Sequence, residues 1–177
     1  MFFVSPAQVN FQVPPGTAPG KALVTILKAG ETVAAASPQI VMVSPGLFSA
    51  DASGQGLAIG VALRIKADGS LSFEPLARFD EERRQFVAAP IDLDSATDNV
   101  FLVLFGTGLR NRNSLGSVSV KIGDVNVDAL YAGPQGSFVG LDQLNVSLPR
   151  SLAGGGEVDV NVTVDGVAAN NMKVAIK

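Results

Sequence analysis

Apolar residues alternate with small or polar residues along most of the chain, which is the pattern of half-buried β-strands. In the segment SVSVKIG the apolar residues are Val118, Val120 and Ile122, and in EVDVNVTVDG valine recurs at every second position from 158 to 164. A period of two places these side chains on one face of a strand and the polar ones on the other. Both segments are therefore predicted to be strands with one buried and one wet face.

Further runs of the same kind predict about nine more strands, separated by turn-forming residues. These predicted strands are residues 8–13, 22–27, 39–43, 57–65, 71–73, 100–105, 125–131, 143–148 and 171–176. The run VFLVLF at 100–105 is apolar at both parities, which predicts a central strand. The charged segment 78–85 lacks an apolar stripe and is expected to form a loop or a single turn. Many short strands without helical crossovers predict an all-β sandwich.

An internal repeat links the two ends of the chain. Residues 3–14 match residues 138–149, with identical Phe, Val, Gln, Asn and Pro at equivalent positions. After a slip of one residue the match resumes, so that Gly20 falls opposite Gly156 and Gly30 opposite Gly166. The shared phase predicts that Val9, Phe11 and Val13 point into a core in the same way as Leu144, Val146 and Leu148.

The spacing of the copies predicts the domain organisation. Residues 1–44 are expected to be the C-terminal half of a preceding repeat. Residues 45–177 are expected to form a β-sandwich whose residues 45–98 are a hairpin extension ahead of the core strands. A half-sandwich leaves an apolar face and open strand edges, which something must cover. The candidates are residues 46–91 folding back, preceding residues, or another chain, and pairing between identical chains would build a head-to-tail assembly.

Composition excludes several classes of function. The chain of 177 residues has no His and no Cys, so it lacks a side-chain proton shuttle for neutral pH, a thiolate nucleophile and a Cys/His zinc site. The net charge is −3 and the longest basic run is Arg83-Arg84, which argues against a nucleic-acid partner. No stretch approaches the ~20 apolar residues of a membrane span, and the first residues show no recognisable signal peptide.

A few polar residues remain as candidates for chemistry. Asp92, Asp94 and Asp98 have a spacing that a hard cation such as calcium can use, although the EF-hand pattern is broken and a solvated acidic loop is the alternative. Asn10 and Asn145 occupy one position of the repeat, which suits a ligand contact, a Lys–Asn isopeptide bond or an amide that satisfies backbone groups. With no Trp and one Tyr, the chain offers little for stacking a sugar ring. No catalytic residue and no cofactor is predicted beyond this calcium site.

The sequence also resembles a known family. The segments VFLVLFGTGL at 100–109, SVSVKIGDVNVDALYAG at 117–133 and QLNV at 143–146, with PGLF at 45–48, resemble the uncharacterised C-terminal domain family of surface and secreted proteins of Solibacter-type acidobacteria. That family is in turn similar to the IPT/TIG class of immunoglobulin-like domains. The resemblance covers residues 45–177 and is weakest at 76–98. It implies an immunoglobulin-like sandwich on a bacterial surface or in a secreted protein.

Together these observations predict a non-catalytic extracellular module that serves as a spacer, an adhesive unit or a self-assembling subunit. Its expected partners are other copies of itself or neighbouring immunoglobulin-like repeats. The alternative is a ligand- or carbohydrate-binding accessory module of a larger secreted protein, with its site in the loop-rich segment 76–98. An enzyme would need a pair of carboxylates in a deep pocket.

Overall fold

The computed structural model describes residues 3–177, which form two compact units divided between Met42 and Val43. Both units are built from antiparallel strands joined by turns, and within residues 3–177 the only helical pieces are two short 3-10 turns. In this described part, no helix has the length and apolar character needed to cross a membrane. The predicted all-β fold class is confirmed.

The first unit, up to Met42, consists of short paired strands. They are β1 (Phe3–Val4), β2 (Val9–Asn10), β3 (Gly20–Lys21), β4 (Val24–Lys28), β5 (Glu31–Ala36) and β6 (Gln39–Ile40). Strand β1 pairs with β2, β3 with β6, and β4 with β5. Ala29 and Gly30 connect β4 to β5 with positive φ angles of 51° and 88°, as a two-residue hairpin turn requires. No described side chain of this unit is buried.

The second unit, residues 43–177, contains the remaining strands. They are β7 (Gly46–Leu47), β8 (Gly60–Ile65), β9 (Leu71–Pro75), β10 (Ala77–Asp80), β11 (Gln85–Ala88), β12 (Asn99–Thr107), β13 (Val118–Ile122), β14 (Val125–Val127), β15 (Ala129–Pro134), β16 (Asp142–Ser147), β17 (Gly156–Val164), β18 (Val167–Ala168) and β19 (Met172–Ile176). The 3-10 turns are Leu115–Ser117 and Arg150–Leu152.

Two antiparallel sheets make up the body of the second unit. The larger has six strands in the order β15-β16-β12-β8-β9, with β7 paired to the end of β12. The smaller has five, in the order β14-β13-β17-β18, with β19 also paired to β17. Strand β12 has neighbours on both edges, and its inward Leu102 and Leu104 are 0% and 1% exposed. The prediction of a central strand at 100–105 is confirmed.

The inner faces of both sheets contribute to one apolar core, as in a β-sandwich. Leu102 and Leu144 come from the larger sheet, and Val120, Val160 and Val162 come from the smaller one. In β13 and β17 the valines at alternate positions are buried, apart from the half-buried Val158, while most of the polar residues between them are exposed, as the sequence pattern predicts. Period-two alternation is thus the sequence feature that specifies this core.

Residues 45–98 are integral to the sandwich rather than an extension ahead of it. Strand β8 lies between β12 and β9, and its Ala62 is buried in the common core. Leu76, Ile91 and Leu93 belong to the same core. A strand that pairs with the centre of the sheet cannot be removed without opening that sheet.

The expectation of a loop or single turn at 78–85 is wrong, because these residues belong to the hairpin formed by β10 and β11. Phe79 and Phe86 face each other across it with ring centroids 5.4 Å apart in an edge-to-face arrangement. At the turn, the Asp80 carboxylate accepts hydrogen bonds from the backbone N–H groups of Glu82 and Arg83. The charged residues of the turn dominate this segment, so the sequence pattern does not reveal the two short strands beside it.

Candidate interaction surface

The outer face of the larger sheet carries apolar side chains in cross-strand rows. In one row Leu63 of β8 lies between Phe73 of β9 and Phe101 of β12. The neighbouring positions of these strands place further apolar residues on the same side, because side chains alternate between the two faces. We call this surface the apolar face, and it consists of Val61, Leu63, Ile65, Leu71, Phe73, Phe101, Val103, Leu130 and Tyr131.

Several side chains of the apolar face are open to solvent. Phe73 is 65% exposed, Leu71 is 58% exposed and Leu130 is 50% exposed. Part of the face forms a shallow groove of about 230 Å³. The groove is lined by Leu63, Ile65, Phe101, Val103, Leu130, Tyr131 and Asn145. Within the described part of the chain, no charged side chain lines this groove.

A β-bulge shapes one wall of this groove. In the ladder between β15 and β16, Ala129 pairs with Val146 and Tyr131 pairs with Asn145, so that Leu130 is an extra residue. A bulge of this kind redirects a side chain, and here Leu130 and the adjacent Tyr131 both line the groove. The Tyr131 hydroxyl donates a hydrogen bond to the Pro134 carbonyl, which fixes the ring.

The outer face of the smaller sheet is polar, in contrast to the apolar face. Its exposed positions include Ser119, Lys121 and Asn161 on paired strands. Lys173 lies 2.9 Å from Glu157 on this surface. The two outer faces of one sandwich therefore differ in chemistry, and only the polar one is typical of a solvated sheet.

A buried arginine of β8, Arg64, lies in a cluster of charged residues. Arg64, 7% exposed, is held by Glu74 through two hydrogen bonds of 2.8 and 3.1 Å. It also donates to the Asp92 carbonyl at 2.7 Å and lies 3.4 Å from the Asp98 carboxylate. The Arg64 guanidinium lowers the pKa of Glu74 below its usual value. The Arg64 guanidinium thus has hydrogen-bond or ion-pair partners within the protein. The cluster therefore stabilises this end of the sandwich and leaves few donor groups for a ligand.

The residues considered for calcium lie around this cluster. Asp98 is paired with Arg64, and one Asp92 carboxylate oxygen lies 3.0 Å from Lys177 Nζ. The other accepts the Asp94 N–H at 2.9 Å, and this hydrogen bond, followed by Lys177, lowers the pKa of Asp92. Among residues 3–177 no three His, Cys, Asp or Glu side chains are grouped as metal ligands. The calcium site stays a prediction.

Asp142 is a buried carboxylate that sequence reasoning did not single out. It is 0% exposed and accepts hydrogen bonds of 2.8 Å from both the Leu109 N–H and Arg110 Nε. Arg110 in turn donates to the Leu141 carbonyl. Arg110 and Asp142 are 32 residues apart in sequence, and no local pattern indicates that they pair. Their role is to hold the loop after β12 against the start of β16.

Asn10 and Asn145 have equivalent local partners. The Gln8 amide donates to Asn10 Oδ1 at 2.7 Å, and the Gln143 amide donates to Asn145 Oδ1 at the same distance. Among residues 3–177, the groove that Asn145 lines has no lysine and no acidic residue in its lining. An isopeptide bond requires both beside the asparagine, so the groove gives that alternative no support, and the ligand contact stays a prediction.

No family model, no curated protein and no solved structure matches this chain. The resemblance to the acidobacterial domain family thus stays a prediction.

Proposed function

We propose that this chain is a non-catalytic structural module of a bacterial surface or secreted protein, and that it assembles with other copies through the apolar face. The observation that carries the proposal is the apolar outer surface that β8, β9 and β12 present, beside a smaller sheet whose outer face is polar. Strand β16 adds the polar Gln143, Asn145 and Ser147 to the same side of the larger sheet. Contiguous exposed apolar patches on soluble proteins are characteristic of interaction sites.

A second copy of the same face is the occupant that the chemistry favours. Its central rows, from Phe73 through Leu63 to Phe101, contain no charged residue, so two such faces meet without like-charge repulsion. Identical patches pair isologously about a two-fold axis. Burying aromatic and branched side chains on both sides supplies the favourable free energy, at about 25 cal/mol for each Å² of apolar area. The immunoglobulin-like and extracellular character follows from the sequence resemblance and forms part of the proposal.

Sedimentation velocity over a range of concentrations tests this function. We expect the full chain to self-associate, and the Phe73→Lys variant to shift towards the monomer because it places a charge within the apolar contact, on the edge strand β9. The matched control is Ser119→Lys, which adds the same charge to the polar outer face of the smaller sheet and should leave association unchanged. A chain that is monomeric at all concentrations, or two variants with equal effects, would contradict the proposal.

The alternative function, a ligand- or carbohydrate-binding accessory module, is supported by the groove beside Tyr131. An aromatic ring next to an amide such as Asn145 is a combination that carbohydrate sites use. Binding to a glycan array that is lost in Tyr131→Ala and retained in Phe73→Lys would favour this function over assembly. The segment 76–98 offers less, because most of it forms the β10–β11 hairpin or contributes Leu76, Ile91 and Leu93 to the core.

A further inference from the structure

The hairpin formed by residues 20–40 repeats the pairing register of the hairpin formed by residues 156–176. In the first, Gly20 pairs with Ile40, and in the second Gly156 pairs with Ile176. The equivalence continues along both hairpins at a constant offset. The matching pairs are Val24↔Ala36 with Val160↔Met172, Leu27↔Thr32 with Thr163↔Ala168, and Lys28↔Glu31 with Val164↔Val167.

The irregularities of the two hairpins also coincide. The register shifts by one residue just before each turn: between Ile26 and Leu27 in the first hairpin, and between Val160 and Thr163 in the second, where pairing passes from β19 to β18. Each turn is a non-glycine residue followed by glycine, both with positive φ: Ala29 and Gly30 at 51° and 88°, Asp165 and Gly166 at 49° and 79°. Positive φ at a non-glycine residue is uncommon. Its recurrence at the first turn residue of both hairpins shows that the two segments share one backbone conformation there.

The strand ahead of each hairpin is equivalent as well. The Gln8–Asn10 side-chain hydrogen bond has the same length as that between Gln143 and Asn145, 2.7 Å. The turn that follows is also shared, with Thr17 N–H donating to Pro14 O at 3.2 Å and Leu152 N–H donating to Pro149 O at 3.1 Å. Residues 8–40 are therefore built like residues 143–176.

The two segments differ in what covers them. In the second unit, β16 lies between β12 and β15, and β17 pairs with β13. Val146 and Val162 are consequently 0% and 2% exposed. Their equivalents in the first unit, Phe11 and Ile26, are 50% and 38% exposed. The expectation that Phe11 points into a core is thus not met within residues 3–42.

We propose that residues 3–42 are the closing half of a second sandwich, and that their partner is a strand segment with the pattern of residues 99–134 supplied by another copy of the repeat. The known pairs fix the register of docking. Since Val120 pairs with Val162, the incoming equivalent of Val120 pairs with Ile26. Since Val103 pairs with Asn145, the incoming equivalent of Val103 pairs with Asn10.

A second folded copy of the 43–177 unit cannot donate these strands. Strand β12 is paired on one edge with β16 and on the other with β8 and β7. Strand β13 is paired with β14 on one edge and β17 on the other. Giving up β12 or β13 to another unit would break these ladders. The partner is therefore a further copy of residues 99–134 whose β12 and β13 are not already paired with their own β16 and β17. This inference does not depend on the apolar face.

Cysteine trapping tests the proposal in an extended chain, because the natural sequence contains no cysteine. A copy of residues 43–137 is placed ahead of Phe3, so that Phe3 follows it as Phe138 follows residue 137. Ser119→Cys in the added copy is combined with Leu27→Cys, because Ser119 pairs with Thr163, the equivalent of Leu27. Directly opposed residues on antiparallel strands have the Cα separation that a disulfide needs.

We expect this in-register pair, the cysteines at position 119 of the added copy and position 27, to form a disulfide under mild oxidation. Moving the second cysteine two residues along the same strand face, as Thr25→Cys, should abolish closure. The positive control is Ser119→Cys with Thr163→Cys inside the 43–177 unit. If the control pair closes and the in-register pair does not, the proposal is overturned, whether or not the extended chain is compact.

Hydrogen exchange gives a second, independent readout. Amides of β4 should exchange at least about a hundredfold more slowly in the extended chain than in the natural chain, since they gain a neighbouring strand. The same extension with Val120→Asp in the added copy should not protect them. Protection of β4 in the natural chain that rises with its concentration would instead identify a second copy of the first unit as the partner and would overturn the proposal. Failure of self-association through the apolar face leaves these outcomes unchanged.

Discussion

At the scale of single residues, Gly108 shows how close backbone approach constrains the sequence. It has a φ of +77°, and a Cβ at this position would lie 1.9 Å from the Ser44 carbonyl oxygen. Gly69 has a similar φ of +80° with no heavy atom within 4 Å of its Cβ position. Comparing Gly108 with Gly69 therefore separates the cost of a positive φ from the cost of a steric clash between a Cβ and the backbone.

We predict that Gly108→Ala lowers the free energy of unfolding by at least about 3 kcal/mol, because the Ser44 backbone must move. Gly69→Ala should cost only about 1 kcal/mol, the strain of a positive φ alone. Urea unfolding at constant pH measures both values. Equal losses in the two variants would contradict a close approach at Gly108.

The Arg64–Glu74 pair predicts a pH dependence of stability. Arg64 lowers the pKa of Glu74 in the folded protein, so the folded state binds fewer protons than the unfolded state in this range. The stabilisation is complete above the usual glutamate pKa of 4.5 and is lost as the pH falls through the lower, folded pKa. We expect Glu74→Gln to be less stable than the natural chain at pH 6 and to differ from it less at pH 3. Denaturant titrations at both pH values check this, and a gap that widens on acidification would refute it.

At the scale of elements, the strands that the sequence predicts best are those in which one parity is apolar throughout, such as β13 and β17. The hairpin of β10 and β11 escapes prediction because its turn concentrates charge and its arms have only four residues each. The run 125–131 is predicted as one strand, yet it divides at Asp128 into β14 and β15, which belong to different sheets. A sequence pattern shows that a strand exists but not where it crosses between sheets.

Strand β12 provides the prediction at this scale. We expect Leu102→Asp to lower the free energy of unfolding by at least about 3 kcal/mol, because it buries an unpaired charge between the two sheets. Thr107→Asp is the control, since this residue ends the same strand and is exposed. Thermal unfolding followed by circular dichroism compares them. A midpoint for Leu102→Asp within one or two degrees of the natural chain would show that the strand is not central.

At the scale of the whole molecule, the sequence predicts the repeat and the sandwich but not the surfaces. Matching residues such as Gln8 and Gln143 reveal the repeat because they recur at a fixed spacing. The apolar face escapes prediction because alternation does not show that outward side chains such as Leu71 and Phe73 stay exposed. The contacts of Asp142 join the start of β16 to the distant loop after β12, and no local pattern encodes them. Contacts between residues far apart in sequence are therefore not specified by any local pattern.

The two units should differ sharply in hydrogen exchange. In residues 3–42 no described side chain is buried, so opening a strand such as β4 exposes little additional apolar surface and costs little free energy. Opening β12 separates it from strands on both edges and exposes Leu102 and Leu104, which requires most of the global unfolding free energy. We therefore predict that, at a concentration where the natural chain is monomeric, amides of β4 exchange at least about a thousandfold faster than those of β12. Mass spectrometry of peptic peptides resolves these strands, with a peptide covering β17 as the internal reference, since β17 is the buried equivalent of β4. Comparable protection of β4 and β17 in the monomer would mean that the first unit is already covered, and it would leave no bare half-sandwich for an incoming strand to complete.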